Sequence, residues 1–159
     1  MKEITLNINY AEYASPEELS KEDQELIKAA HEAREGSYSP YSNFQVGAAL
    51  RLENGVIVKG ANQENAAYPS GLCAERTAMF WASANYPDVA FDALAISAAD
   101  HGVLCELPAS PCGACRQVMA EYEKKYGRPL KIILVGEKQI RKFAKVEDLL
   151  PIIFDSLKV

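Results

Sequence analysis

Three cysteines make the strongest demand on any fold this chain adopts. One stands in the run Cys73-Ala74-Glu75, and two more follow in Pro111-Cys112-Gly113-Ala114-Cys115. Three thiolates can hold a zinc ion and leave its fourth tetrahedral position to water. A carboxylate two residues from the first thiolate is close enough to handle that water's protons. Cys112 and Cys115, three residues apart in the first turn of a predicted helix, place both sulfurs on one side. Cys73 opens a second predicted helix. Two helix N-termini aimed at one ion favour the thiolate forms through their partial positive charge.

Zinc with three thiolates carries a net negative charge, which weakens it as a Lewis acid. Arg76, beside Glu75, could offset that excess by hydrogen bonding to the sulfurs. The lesser alternative is a surface ion-pair arginine. Cys105 also leaves two readings open. It is either a free thiol or the fourth ligand of a closed structural site with no room for water.

Composition narrows the partners. The chain has 159 residues, 48% of them hydrophobic, and a formal net charge of -5. That is the size of one domain, expected over 1–159, with residues 1–19 as an extension of unassigned role. No basic block supports a nucleic-acid polymer or an anionic membrane as partner. No stretch reaches the roughly 18 apolar residues of a membrane span. The first ten residues alternate apolar and polar side chains rather than forming the apolar run of a signal peptide. Cysteines grouped as a metal set suit a reducing cytoplasm.

Hydrophobic periodicity predicts an edge strand over 2–13, with Ile4, Leu6, Ile8 and Tyr10 on one face. Helix starts are expected at Ser15 and Ser20, each with an acid three residues on, and the main helix over 21–35 turns Leu26, Ile27, Ala30 and Ala33 inward. A hairpin over 44–52 and 56–60 is expected to turn at Asn54-Gly55 in type I′ geometry. A helix over 73–86, a buried strand over 91–98, a long loop over 99–110, a helix over 111–126 and a strand over 130–135 follow. A short terminal helix over 146–157, broken near Pro151, completes the chain. This order predicts a three-layer α/β/α fold around a mixed, five-stranded sheet. Lys138, Arg141, Lys142 and Lys145 read as a solvated face, and His31 and His101 as structural or solvated. Phe80 and Trp81 read as core or subunit contacts.

Several long motifs agree in order with one family. Cys73-Ala74-Glu75-Arg76-Thr77-Ala78 and Pro111-Cys112-Gly113-Ala114-Cys115-Arg116-Gln117 resemble the small, homotetrameric, three-cysteine cytidine deaminases of the cytidine/deoxycytidylate deaminase family. So do Ser39-Pro40-Tyr41-Ser42-Asn43-Phe44, Val46-Gly47-Ala48-Ala49, the run from Gly60 to Tyr68, and Leu149-Leu150-Pro151 with Phe154. The resemblance implies one Zn2+ per chain on Cys73, Cys112 and Cys115, with Glu75 as proton shuttle. It implies that Asn62 and Glu64 hold the ribose hydroxyls, that Phe44 packs on the pyrimidine and that the Ala74 backbone contacts the base. Ala66, Tyr68 and Phe154 would complete the pockets of neighbouring subunits.

The implied activity is hydrolysis of cytidine and 2′-deoxycytidine to the uridine counterparts plus ammonia, in pyrimidine salvage, without an organic cofactor. The residue chemistry is compatible. Glu64 can accept from a sugar hydroxyl and would repel a phosphate, and Phe44 offers a flat apolar face. The rivals are an aminohydrolase of another amine, a deaminase of single-stranded nucleic acid and a non-enzymatic zinc-stabilised oligomer. The acidic chain lacks the basic and aromatic strand contacts of the second.

Overall fold

A computed structural model describes residues 1–155. Its elements are β1 (Ala11–Tyr13), α1 (Lys21–Ala33), β2 (Phe44–Leu52), β3 (Ile57–Ala61), α2 (Ala74–Asn85), β4 (Phe91–Asp100), β5 (Val103–Leu104), α3 (Gly113–Tyr126), β6 (Lys131–Val135) and β7 (Ile140–Phe143). The sheet runs β1-β7-β6-β4-β2-β3, with β5 added beside β4. Among the described strands only β4 and β6 pair in parallel, so the sheet is mixed. α1 packs on one face and α2 and α3 on the other, giving the expected three layers.

The central strands are covered on both faces, which is why they read as continuous apolar runs. On β2, β4 and β6, Ala49, Ala93, Ala95 and Ile133 face α1, while Leu50, Leu94, Ile96, Ile132 and Leu134 face α2 and α3. α1 begins as its sequence directs: the Ser20 hydroxyl accepts from the Asp23 amide at 3.3 Å, and Leu26, Ile27, Ala30 and Ala33 are buried. The expected start at Ser15 gives one 3-10 turn over Pro16–Glu18, with no side-chain cap.

Five expectations need correction. The sheet has seven strands rather than five, because β5 and β7 were not foreseen. β7 hides its alternation by burying Ile140 against the α1 layer and Phe143 against the other. The N-terminal strand is confined to Ala11–Tyr13, since β7 ends at Phe143 and offers no further ladder. Tyr10 stacks on the Phe143 ring at 5.2 Å, but Ile4, Leu6 and Ile8 are exposed.

Asn54-Gly55 does not form a type I′ turn, because only Gly55 of the pair has positive φ. Glu53 joins them in a three-residue loop, closed by the Gly55 amide on the Leu52 carbonyl at 2.9 Å. Two-residue turn geometry with positive φ at both positions occurs instead at His101 (49°) and Gly102 (80°), joining β4 to β5 inside the expected loop. The expected terminal helix is a single 3-10 turn over Val146–Asp148; residues 149–155 are irregular, and 156–157 lie outside the described residues.

The basic run is not a freely solvated face. Lys142 donates to the Asp23 carboxylate at 2.6 Å, and Arg51 reaches the same group at 3.0 Å. Arg141 pairs with Glu12, Lys138 with Glu106 and Lys145 with Glu147. Burial opposes the Asp23 charge most strongly, yet the hydrogen bonds from Lys142 and Arg51 together hold its carboxyl below the usual range. The stability gained is complete above the unfolded-state value of about 4 and is lost as pH falls through the lower folded-state value. Asp23→Asn should therefore flatten the acid-side loss of stability followed by urea unfolding. At neutral pH it should cost about 3 kcal/mol, because it strands Lys142 and leaves Arg51 only its pair with Asp92.

Candidate metal centre and active site

β3 and β4 both run antiparallel to β2, so they point the same way. α2 follows β3, and α3 follows β4 through β5. Both helices therefore begin at the same end of the sheet, and their buried residues share one core cluster. That topology brings Cys73 and the 112–115 pair together. Gly60 makes the approach of α2 possible: a Cβ there would lie 2.5 Å from the Ala74 carbonyl oxygen and 2.6 Å from the Ala78 nitrogen. Gly60→Ala should push the start of α2 off the sheet and cost about 1–3 kcal/mol in chemical denaturation, with weaker metal retention.

Cys73 and Cys112 occupy the N-cap positions of α2 and α3, and neither side chain caps its helix. Their carbonyls accept the first helical bonds, from Thr77 and Arg116, which leaves the sulfurs free to face each other. The sulfurs of Cys73, Cys112 and Cys115 lie within 4.8 Å of one another, and Cys73 and Cys112 are 3.7 Å apart. Two sulfurs at ~2.3 Å from a tetrahedral zinc stand about 3.8 Å apart, so the donor set fits such an ion. Among the described residues this is the metal-capable cluster, and Cys105 is not part of it. A closed four-thiolate site is thereby ruled out.

Arg76 sits one helical turn beyond Cys73. Its Nη2 donates to the Cys73 sulfur at 3.4 Å, and its Nε is a buried polar atom without a partner among the described residues. A spare cationic donor beside three sulfurs is what a negatively charged metal-thiolate centre calls for. Hydrogen bonds from Cys115, then Arg76 and Cys112, outweigh burial and pull the Cys73 thiol down to about 5. Cys115 is pushed up by the same Cys73 contact, by burial and by Glu75. Glu75 lies in the first turn of α2 with only 4% of its surface exposed. Burial, and then the Cys73 charge, raise its pKa.

A cleft of about 510 Å3 opens beside the cluster. Its wall brings together Asn62, Glu64, Tyr68, Cys73 and Arg76 from the expected set. Asn62 Oδ1 accepts from the Val46 amide at 2.8 Å and the Ser37 hydroxyl at 2.6 Å, while Nδ2 donates to the Phe44 carbonyl at 2.9 Å. The Glu64 carboxylate accepts from the Tyr41 amide at 2.9 Å and from the Ser42 hydroxyl, and these bonds hold its pKa low. Phe44 is half-buried at the start of β2 beside this network, and Ala74 is fully buried.

Ala66 and Phe154 are exposed and do not line the cleft. Phe80 and Trp81 are exposed on α2, which removes the core reading of both. His31 bonds Ser97 at 2.9 Å, and His101 sits in the β4–β5 turn.

Sequence reasoning assigned no role to Tyr41 and Ser42, although both stand inside a quoted motif. Their contribution is to orient Glu64, and no spacing rule reveals a partner more than twenty residues away. Replacing Cys73, Cys112 or Cys115 with serine should each reduce bound metal, measured by elemental analysis. Cys105→Ser should leave it unchanged.

A family model described as the cytidine and deoxycytidylate deaminase zinc-binding region matches residues 20–126. A cytidine deaminase of Halalkalibacterium halodurans is 53% identical over 98 residues, covering 62% of this chain and 70% of that protein. One from Sporosarcina psychrophila is 50% identical over 99 residues, covering 62% and 68%. The crystal structure of cytidine deaminase from Burkholderia pseudomallei superposes with a TM-score of 0.70 at 43% identity, over 82% of this chain and 97% of that one. With its metal-capable cysteines at two converging helix N-termini, the chain belongs to the cytidine and deoxycytidylate deaminase family.

Proposed function

We propose that this chain hydrolyses cytidine and 2′-deoxycytidine to uridine and 2′-deoxyuridine with release of ammonia, a pyrimidine-salvage reaction. The observation that carries this reading is the buried Glu75 carboxylate two residues from Cys73, in a chain with this family's sulfur cluster. One zinc ion per chain, held by Cys73, Cys112 and Cys115, would activate a water molecule as the nucleophile. Arg76 would offset the negative charge on the sulfurs.

Glu75 takes a proton from the attacking water and delivers it to N3 of the cytosine ring. It then relays a second proton from the added oxygen to the departing amine. The water oxygen bonds to C4, the bond from C4 to the exocyclic nitrogen breaks, and ammonia leaves. Burial of Glu75 keeps bulk water from competing for these protons.

The cleft wall supports a nucleoside as substrate. Asn62 retains one amide hydrogen beyond its bond to Phe44, and Glu64 retains acceptor capacity, so both can meet ribose hydroxyls. The Glu64 charge would repel a phosphate and favours the free nucleoside. Phe44, beside the Asn62 network though not in the cleft wall, would offer its ring to the pyrimidine. The Ala74 amide stands at the first position of α2, where it has no partner in the helix, and can donate to the base.

Ala66 and Phe154 are assigned to neighbouring pockets of a homotetramer, as is Tyr68, although its side chain also lines the cleft of its own chain. The exposure of Phe154, together with Phe80 and Trp81, supports shared subunit surfaces. The free cysteines suit a cytoplasmic setting.

Purified zinc-loaded protein should form uridine from cytidine. Glu75→Gln should lower kcat by about 10³-fold with metal content unchanged. Near-normal turnover in that variant would remove Glu75 from the mechanism. No turnover by folded, zinc-loaded wild type would overturn the substrate assignment.

A further inference from the structure

Residues 149–155 form neither helix nor strand, so their backbone groups look to side chains for partners. α3 supplies several. The Gln117 amide takes both polar groups of one residue: Nε2 donates to the Phe154 carbonyl at 2.8 Å, and Oε1 accepts from the Phe154 amide at 3.2 Å. Arg116 donates through Nη1 to the Leu149 carbonyl at 3.0 Å and through Nε to the Pro111 carbonyl at 2.8 Å. Farther along the helix, Lys124 donates to the Asp155 carbonyl at 3.1 Å.

A single hydrogen bond would let the segment pivot. Two bonds to the same residue fix its orientation as well as its distance, as a rung of a β-ladder does. The clamp leaves Phe154 65% exposed. It begins two residues after Cys115, so the Phe154 backbone is held in register with the helix that carries two of the three sulfurs. Arg116 braces the same unit by joining the residue before Cys112 to the start of the C-terminal segment.

We propose that Gln117 is a positioning residue for substrate binding. By fixing the Phe154 backbone, its side-chain amide sets where the ring leaves the chain and so directs it to the pocket of a neighbouring copy of this chain. The proposal rests on the reading above that Phe154 completes such a pocket. Gln117 needs no contact with substrate or metal, so its loss should weaken binding without slowing the chemical step.

The test compares Gln117→Ala, Phe154→Ala and the double variant in the zinc-loaded enzyme. Gln117→Met, which keeps the side-chain length but neither polar atom, serves as a second probe of the clamp. Both Gln117 variants should raise KM for cytidine roughly tenfold, with kcat within about twofold of wild type. Metal content and subunit number should be unchanged, and amide exchange in residues 150–155 should be faster. The double variant should be no worse than Phe154→Ala alone, because both changes remove one function.

If Phe154→Ala raises KM while both Gln117 variants leave KM and exchange unchanged, the clamp is idle and this inference falls while the pocket reading stands. If Phe154→Ala leaves KM unchanged, both fall. Joint loss of metal and kcat in the Gln117 variants would assign the residue to the metal helix and overturn the proposal.

Discussion

β2 runs against both of its long neighbours, and the chemistry of the molecule depends on that opposition. It forces β3 and β4 into one direction and so gives α2 and α3 a common starting line. The cost of the arrangement is electrostatic. Two thiolates 3.7 Å apart repel by about 4 kcal/mol at the effective dielectric of a protein surface. A helix N-terminus returns about 1 kcal/mol or less to each. Helix dipoles alone could not hold three ionised sulfurs together, so ionising all three would need a cation. Arg76 contributes at the rim, and a dication held by the sulfurs would supply the rest.

The same logic separates the two carboxylates near the site. Glu75 is buried with its charge disfavoured, whereas Glu64 is held ionised by a hydroxyl and backbone amides at the cleft wall. The two environments suit the roles proposed above, one carboxylate exchanging protons and the other accepting hydrogen bonds. The split follows from position on the fold: Glu75 lies against the sheet in the first turn of a helix, and Glu64 lies in a connecting loop.

What the residues disclosed in advance were features with local causes. The Ser20 cap, the inward face of α1 and the i, i+3 pair of Cys112 and Cys115 are written within a few neighbouring positions. The sulfur set could be recognised because metal chemistry restricts the residue types that serve. Features that depend on distant partners were hidden. Lys142 looked solvated because its carboxylate, Asp23, lies 119 residues away. β7 was missed because its two buried side chains serve opposite layers. Asn54-Gly55 carried the stronger turn signal, yet the loop took in a third residue while the two-residue turn fell at His101-Gly102. Loop length is set by the register of the flanking strands as much as by the residues between them.

The three-residue pairing of β1 with β7 also bears on how the protein behaves in a crowded solution. A bare β7 would present an open row of amide and carbonyl groups at the margin of a large sheet, a template for joining sheets edge to edge. β1 occupies that row and is itself too short to seed another. Glu12 and Arg141 add a pair of opposite charges along the same margin. At the far margin, β3 carries Lys59, which is tied to Glu32. The N-terminal segment does not line the cleft, yet it closes a self-association route that the rest of the sheet would leave open.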